Sequence, residues 1–196
     1  MLQSTKHGEK MDFLIEKGMM LLWRKGYNAT SVKDIVDAAE VPKGSFYFYF
    51  DSKEDFAVKA LEMYFDKTFP PALEILQDKT IGPKQRLINF YEFRAHIIKE
   101  EFDCKMGCMG CNMANEMAEH SEAIRKIIEN KVNLVKGHIS EVVEEAQSFG
   151  EMDDAIDAMD WVNFVEDAGR GAMVSMKEMD SSYSVDNFVR MVKRLL

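Results

Sequence analysis

Three cysteines crowd one short run, Asp103-Cys104-Lys105-Met106-Gly107-Cys108-Met109-Gly110-Cys111. Three kinds of chemistry are open to them. Cysteine can be a small buried hydrophobe. A thiol next to a helix N-terminus can be a reactive thiolate, because the helix dipole favours the anion. A short helix is expected at about residues 112–119, which puts Cys108 and Cys111 in that position. Alkylation or disulfide formation there would act as a switch, with Cys104 as a further participant. The C-x3-C-x2-C spacing can also hold a metal or cluster, with His96 or His120 as additional ligands.

That last spacing also occurs in the iron–sulfur motif of radical enzymes that use S-adenosylmethionine. A chain of 196 residues that reads as helical throughout is too short for their barrel. No Ser/His/Asp set, Gly-rich phosphate loop or paired carboxylates emerge either. An enzyme is therefore not expected, and neither a cofactor nor a defined metal site is assigned. A helical metal- or cluster-binding sensor or enzyme built on the three cysteines stands as the alternative function.

The second informative run is Lys43-Gly44-Ser45-Phe46-Tyr47-Phe48-Tyr49-Phe50. Phe46 and Phe50 are four apart and are expected to be buried together. An eight-residue helix cannot bury all its rings, so other aromatics must face outward. Lys43 and Ser45 lie at the helix start, where DNA-reading side chains sit. Gly44 allows close backbone approach. Tyr47 and Tyr49 can each bring a ring and a hydroxyl to a sugar-phosphate wall or a thymine methyl. Thr30 and Ser31 can donate to phosphate at a helix N-terminus, and Lys53 adds a positive charge.

The elements that must hold these residues are legible from period and caps. Met11, Leu14, Ile15, Met19, Leu22 and Trp23 fall along one side of a helix that stops at Gly26. Ser31 with Asp34 is a capping box in its acidic form and opens a short second helix. Val41-Pro42 break the chain before the third helix, near Lys43 to Phe50. Ser52 with Asp55 repeats the capping signal for a fourth helix, expected to run to Pro70-Pro71. A tight turn between the second and third helices gives the helix-turn-helix pattern. Downstream helices are expected at about 83–99, 112–119, 121–149, 153–179 and 185–196. The fold class is all-α, with a helix-turn-helix domain at 1–53 and a larger helical domain at 54–196.

Bulk properties neither suggest nor forbid DNA. The net charge is −9. Residues 1–55 hold 8 basic and 9 acidic side chains, so the acidity sits downstream of a nearly neutral segment. The polar start has no signal-peptide core, and no segment has the apolar length of a membrane span. A cytoplasmic protein with no membrane partner is expected, in which cysteines are more often thiols or ligands than disulfides.

The span from Gly26 to Glu54 resembles the DNA-binding domain of the TetR family of bacterial regulators. The matching pieces are Gly26-Tyr27, Thr30-Ser31, Ile35, Ala38-Ala39, Val41, Lys43-Gly44-Ser45-Phe46-Tyr47, Phe50 and Ser52-Lys53-Glu54. The resemblance implies about nine helices and a homodimer on double-stranded operator DNA with two-fold symmetry. It also implies repression relieved by a small molecule. Two residues depart from the pattern: Glu40 stands where Gly is common in the turn, and Phe48 replaces a residue that is usually polar. The segment around Cys108 resembles a subgroup with a Gly-Cys start to a short helix, in which some members answer electrophiles or oxidants.

An effector pocket would be lined by central-helix residues, with Phe90, Tyr91, Arg94, Met113, Met117 and Trp161 as candidates by position. The dimer interface implied by the family falls on the last two helices, at Gly169, Gly171, Ala172, Phe188, Met191, Val192 and Leu195. Packing of these residues within one chain is the competing reading.

Overall fold

A computed structural model of the chain describes residues 6–196. They form nine α-helices: α1 (Lys6–Lys25), α2 (Val32–Ala38), α3 (Lys43–Tyr49), α4 (Lys53–Gln77), α5 (Pro83–His96), α6 (Met109–Met117), α7 (Glu122–Ser148), α8 (Ala158–Met179) and α9 (Tyr183–Leu195). The last turn of α5 widens into a π turn at Ile97–Glu101. Among the described residues no helix is long and apolar enough to cross a membrane.

The chain divides into two compact units. The first holds α1–α3, α4 up to Lys67, and residues 109–130, which are α6 and the start of α7. The second holds residues 68–108 and 131–196. This differs from the expected division near residue 53. Residues 109–130 return to the N-terminal helices through long-range contacts that no local pattern announces.

The first unit is built on aromatic packing. Phe46, Phe50 and Phe56 are buried, with ring centroids 5.1, 5.5 and 5.0 Å apart pairwise. Trp23 meets Tyr64 edge-on at 4.8 Å. Edge-to-face pairs of this kind add to the burial of their area. The second unit buries an aliphatic core around Leu76, Leu87, Ile139, Val143 and Val162, with Phe90, Tyr91 and Trp161 at its aromatic end.

Two boundaries depart from expectation. α4 runs through Pro70-Pro71 instead of stopping there. Each proline removes an i→i−4 hydrogen bond. Both are exposed, so the carbonyls they release face solvent, and burial of Ala72 and Leu76 keeps the helix going. α8 begins later than expected because Asp157 is its cap, accepting from the Asp160 N–H at 3.0 Å.

Candidate nucleic-acid interface and effector region

The turn ahead of α2 is held from several sides. Gly26 has φ +87°, a conformation only glycine adopts without strain, and a Cβ there would run into the Glu116 carboxylate. Glu116, on α6, accepts the Asn28 N–H at 3.0 Å. The Ser31 hydroxyl accepts the Asp34 N–H at 3.1 Å, and the Asp34 carboxylate accepts the Ser31 N–H at 2.8 Å. This completes the expected capping box. The Ser31 hydroxyl also donates to the Asp34 carboxylate, and that bond, with the one from the Ser31 N–H, holds the Asp34 carboxyl below the usual carboxylate range.

Two residues expected as DNA donors are committed inside this unit. Thr30 is fully buried, and its hydroxyl donates to the Gly26 carbonyl at 2.7 Å. It shapes the turn and does not present a donor outward. The Lys53 ammonium donates to the carbonyls of Tyr27 and Thr30, both at 3.0 Å, and lies 4.0 Å from the Tyr27 ring centroid. Burial pulls its pKa down, and Glu116 partly offsets this. Lys53 thus ties the start of α4 to the α1–α2 turn. Nearby, the Ser121 hydroxyl donates to Glu54 and accepts the Ile124 N–H at 3.1 Å.

α3 follows a turn in which Glu40 has φ +54°. Its departure from the usual glycine is thus met by a left-handed backbone, which is strained for a residue with a Cβ. Pro42 caps the helix in extended conformation and accepts the Ser45 N–H at 2.8 Å. Phe46 and Phe50 are buried, as the spacing predicts. Lys43, Gly44, Tyr47 and Phe48 are exposed, with Tyr47 at 56% and Phe48 at 69%. Ser45 and Tyr49 are half-buried. The expected set of contacts at Lys43, Ser45, Tyr47 and Tyr49 alternates like a strand. The helix instead turns 43, 44, 47 and 48 to one side, so Phe48 stands beside Tyr47. A Cβ at Gly44 would meet nothing within 4 Å, so this side is open.

In the second unit, Arg94 and Glu166 form an ion pair at 2.6 Å beside Tyr91. A small cavity of about 30 Å³ lies there, lined by Tyr91, Arg94, Ile98, Glu166, Met173 and Phe188, among others. Burial works against the Arg94 charge, but Glu166, Tyr91 and Cys108 hold its pKa above the ordinary value. Burial raises the Tyr91 phenol well above its usual range, and Glu166 adds to this. The Tyr91 hydroxyl is buried close to the Glu166 carboxylate, and the Trp161 indole N–H is buried with no hydrogen-bond partner.

Only Tyr91 and Arg94 of the six expected pocket residues line this cavity. Phe90 and Trp161 belong to the core of the second unit, while Met113 and Met117 are buried on α6 in the first. Glu166 was not anticipated. An acidic residue inside a long amphipathic helix gives no local sign that its partner is 72 positions away.

The three cysteines are free thiols in three settings. Cys104 packs against the cluster of Ala95, Met176 and Val185. Burial, with Asp103 and Asp186, pushes its thiol pKa up, which disfavours the nucleophilic form. Cys108 immediately precedes α6 and lies within electrostatic reach of Arg94. Gly107, at φ +62°, carries the chain into it, and a Cβ there would lie 3.8 Å from the Lys177 ammonium. Cys111 is on α6 itself. Among the described residues, no three His, Cys, Asp or Glu gather where they could hold a metal. His96 and His120 are both exposed.

The residues expected at a dimer interface also divide. A Cβ at Gly169 would lie 3.1 Å from the Phe188 ring, so these two pack together within the chain. Val192 is buried in the second unit's core. Ala172 is half-buried, whereas Gly171, Met191 and Leu195 are exposed.

An all-helical chain with an N-terminal helix-turn-helix and an exposed second helix of that motif defines a DNA-binding regulator. Residues 14–60 match the family described as "Bacterial regulatory proteins, tetR family". Residues 83–192 match "Tetracyclin repressor-like, C-terminal domain". The chain belongs to the TetR family, whose members are transcriptional regulators and not enzymes.

The chain is 32% identical over 181 residues to the HTH-type transcriptional repressor DhaR of Mycobacterium sp. strain GP1, covering 91% of this chain and 88% of that protein. It is similar to the HTH-type transcriptional repressor NemR of Escherichia coli strain K12, at 26% identity over 75% of this chain and 73% of that one. The crystal structure of the reduced form of E. coli NemR superposes with a TM-score of 0.86 at 23% identity, covering 95% and 96% of the two chains, which shows the shared fold. The regulatory protein TetR from Rhodobacter sphaeroides superposes with a TM-score of 0.85 at 28% identity, covering 94% and 97%.

Proposed function

We propose that this regulator is a homodimeric repressor whose hold on operator DNA is released when a small organic electrophile or oxidant modifies Cys108. The observation that carries the reading is the setting of Cys108. It directly precedes the N-terminus of α6 and lies within electrostatic reach of the Arg94 guanidinium, the kind of setting in which reactive cysteines occur. Cys104 has the opposite setting and serves as packing. Cys111 lies in the first turn of α6 and is the second candidate.

The far end of α6 carries Glu116, which holds the turn before α2. A change at the start of α6 therefore acts on a helix already bonded to the DNA-reading unit. The DNA contacts proposed are Lys43, Gly44, Ser45, Tyr47 and Tyr49, with Ser31 at the start of α2. Thr30 and Lys53 support them from behind. Repression agrees with the similarity to DhaR and NemR, both named as transcriptional repressors.

Dimerisation uses the outer sides of α8 and α9. Phe164, Gly171 and Val174 follow one another at seven and three residues along α8, all exposed, and Met191 and Leu195 are exposed on α9. An apolar stripe of this kind needs a partner. Light scattering at micromolar concentration should give a dimer; a strict monomer would remove the two-fold operator geometry.

Alkylation tests the switch. After iodoacetamide treatment, with labelling confirmed by mass spectrometry, operator affinity should fall roughly ten- to a hundredfold. Cys108→Ser should be insensitive, and Cys104→Ser should respond like the wild type. Unchanged binding by fully alkylated protein would rule out a thiol switch.

A further inference from the structure

The open side of α3 has an unusual chemical makeup. Its only charged side chain is Lys43, at the first position. It has no Arg, Asn, Gln, Asp or Glu, so it lacks the side chains that make bidentate hydrogen bonds to guanine or adenine or accept from cytosine. What it offers outward are the rings of Tyr47 and Phe48, adjacent and both more than half exposed. The Phe48 ring is braced edge-on against Tyr49 at 5.0 Å, which fixes its direction.

Beside Phe48 lies a groove of about 570 Å³ whose lining includes Phe13, Val41, Pro42, Phe48 and Tyr49, together with the charged residues Glu9 and Lys10. The exposed ring and this mostly apolar concavity are continuous with the helix that family membership assigns to DNA. Of the groups displayed in the major groove, one is apolar: the C5-methyl of thymine.

We infer that Phe48 is a specificity-determining residue that reads a thymine methyl, and that the operator half-site places a T·A pair opposite it. This rests on α3 being the DNA-facing helix. A ring with no hydrogen-bonding group gains nothing from a guanine O6 or N7 and would desolvate them. Against a thymine it buries methyl and ring together. The ring of Tyr47, on the same side, can add a second methyl contact through its face, with its hydroxyl left for the backbone.

The test uses the full-length chain and a randomised duplex pool. The enriched sequence is then rebuilt with thymines replaced one at a time by deoxyuridine, which removes the methyl and keeps every base pair. The expected result is a thymine in each half-site whose demethylation weakens wild-type binding about fourfold, the value of one buried methyl-sized group. Phe48→Ala, at an exposed site, should bind more weakly and lose that sensitivity, whereas Phe48→Leu should keep part of it.

Enrichment of a defined sequence with no methyl-sensitive position would overturn the inference while leaving the DNA-binding reading in place. Undiminished sensitivity in Phe48→Ala would assign the Phe48 surface to some other occupant and also overturn it. No enrichment of any sequence would remove both readings.

Discussion

The two units differ in how their buried polar groups are set. In the first, Thr30 and Ser121 are buried, and both hydroxyls are bonded, one to the Gly26 carbonyl and the other to Glu54. In the second, Arg86 is bonded to the Leu76 carbonyl and paired with Glu145, while the Trp161 indole N–H has no partner and Tyr91 lies beside the Arg94–Glu166 pair and a small cavity. An unsatisfied buried polar group costs about 1–3 kcal/mol. The contrast is that the first unit closes its buried hydroxyls on its own turns, while the second leaves a small cavity beside a buried ion pair.

Core substitutions in the first unit should show the largest effect. Phe46→Ala removes a ring packed against two others and should cost about 3–5 kcal/mol in denaturant unfolding. A loss below about 1 kcal/mol would mean the aromatic cluster is not what fixes α3. Thr30→Val keeps the shape but strands the Gly26 carbonyl, and should cost about 1–3 kcal/mol. No loss would make the bonding of this unit incidental.

Glu40→Gly relieves a left-handed backbone at a residue with a Cβ and should stabilise by about 1 kcal/mol in the same assay. A destabilised variant would show that Glu40 makes compensating contacts. The smallest expected effect belongs to the other unit. Tyr91→Phe removes a buried hydroxyl beside the Glu166 carboxylate, and should change stability by less than about 1 kcal/mol. A larger loss of stability would mean that this hydroxyl is held as firmly as those of the first unit, and the comparison between the units would collapse.

What sequence reveals here follows the range of the interaction. The Ser31–Asp34 box and the Phe46–Phe50 pair lie three and four residues apart, and helical period alone predicts both. The altered turn at Glu40 is visible because one residue departs from a glycine position. The partners of Thr30 and Lys53 are not legible because they lie in a folded turn: Lys53 reaches back 26 positions to Tyr27. Glu116 gives no local signal, being 88 positions from Asn28. Pro70-Pro71 read as a stop because local propensity cannot register that Ala72 and Leu76 become core beyond them. The sequence shows that Phe48 stands at a usually polar position, but its exposure beside Tyr47 follows from the helix geometry.

The central claim is that the open side of α3 meets DNA. The direct measurement is a fluorescence-anisotropy titration of the enriched duplex with wild-type protein and Tyr47→Ala, matched for thermal stability and repeated over a range of salt. Wild-type affinity should fall only shallowly with salt, because few cationic side chains face the DNA, and Tyr47→Ala should bind about tenfold more weakly with its unfolding transition unchanged. Equal affinity for the two proteins would contradict the assignment of this helix to DNA.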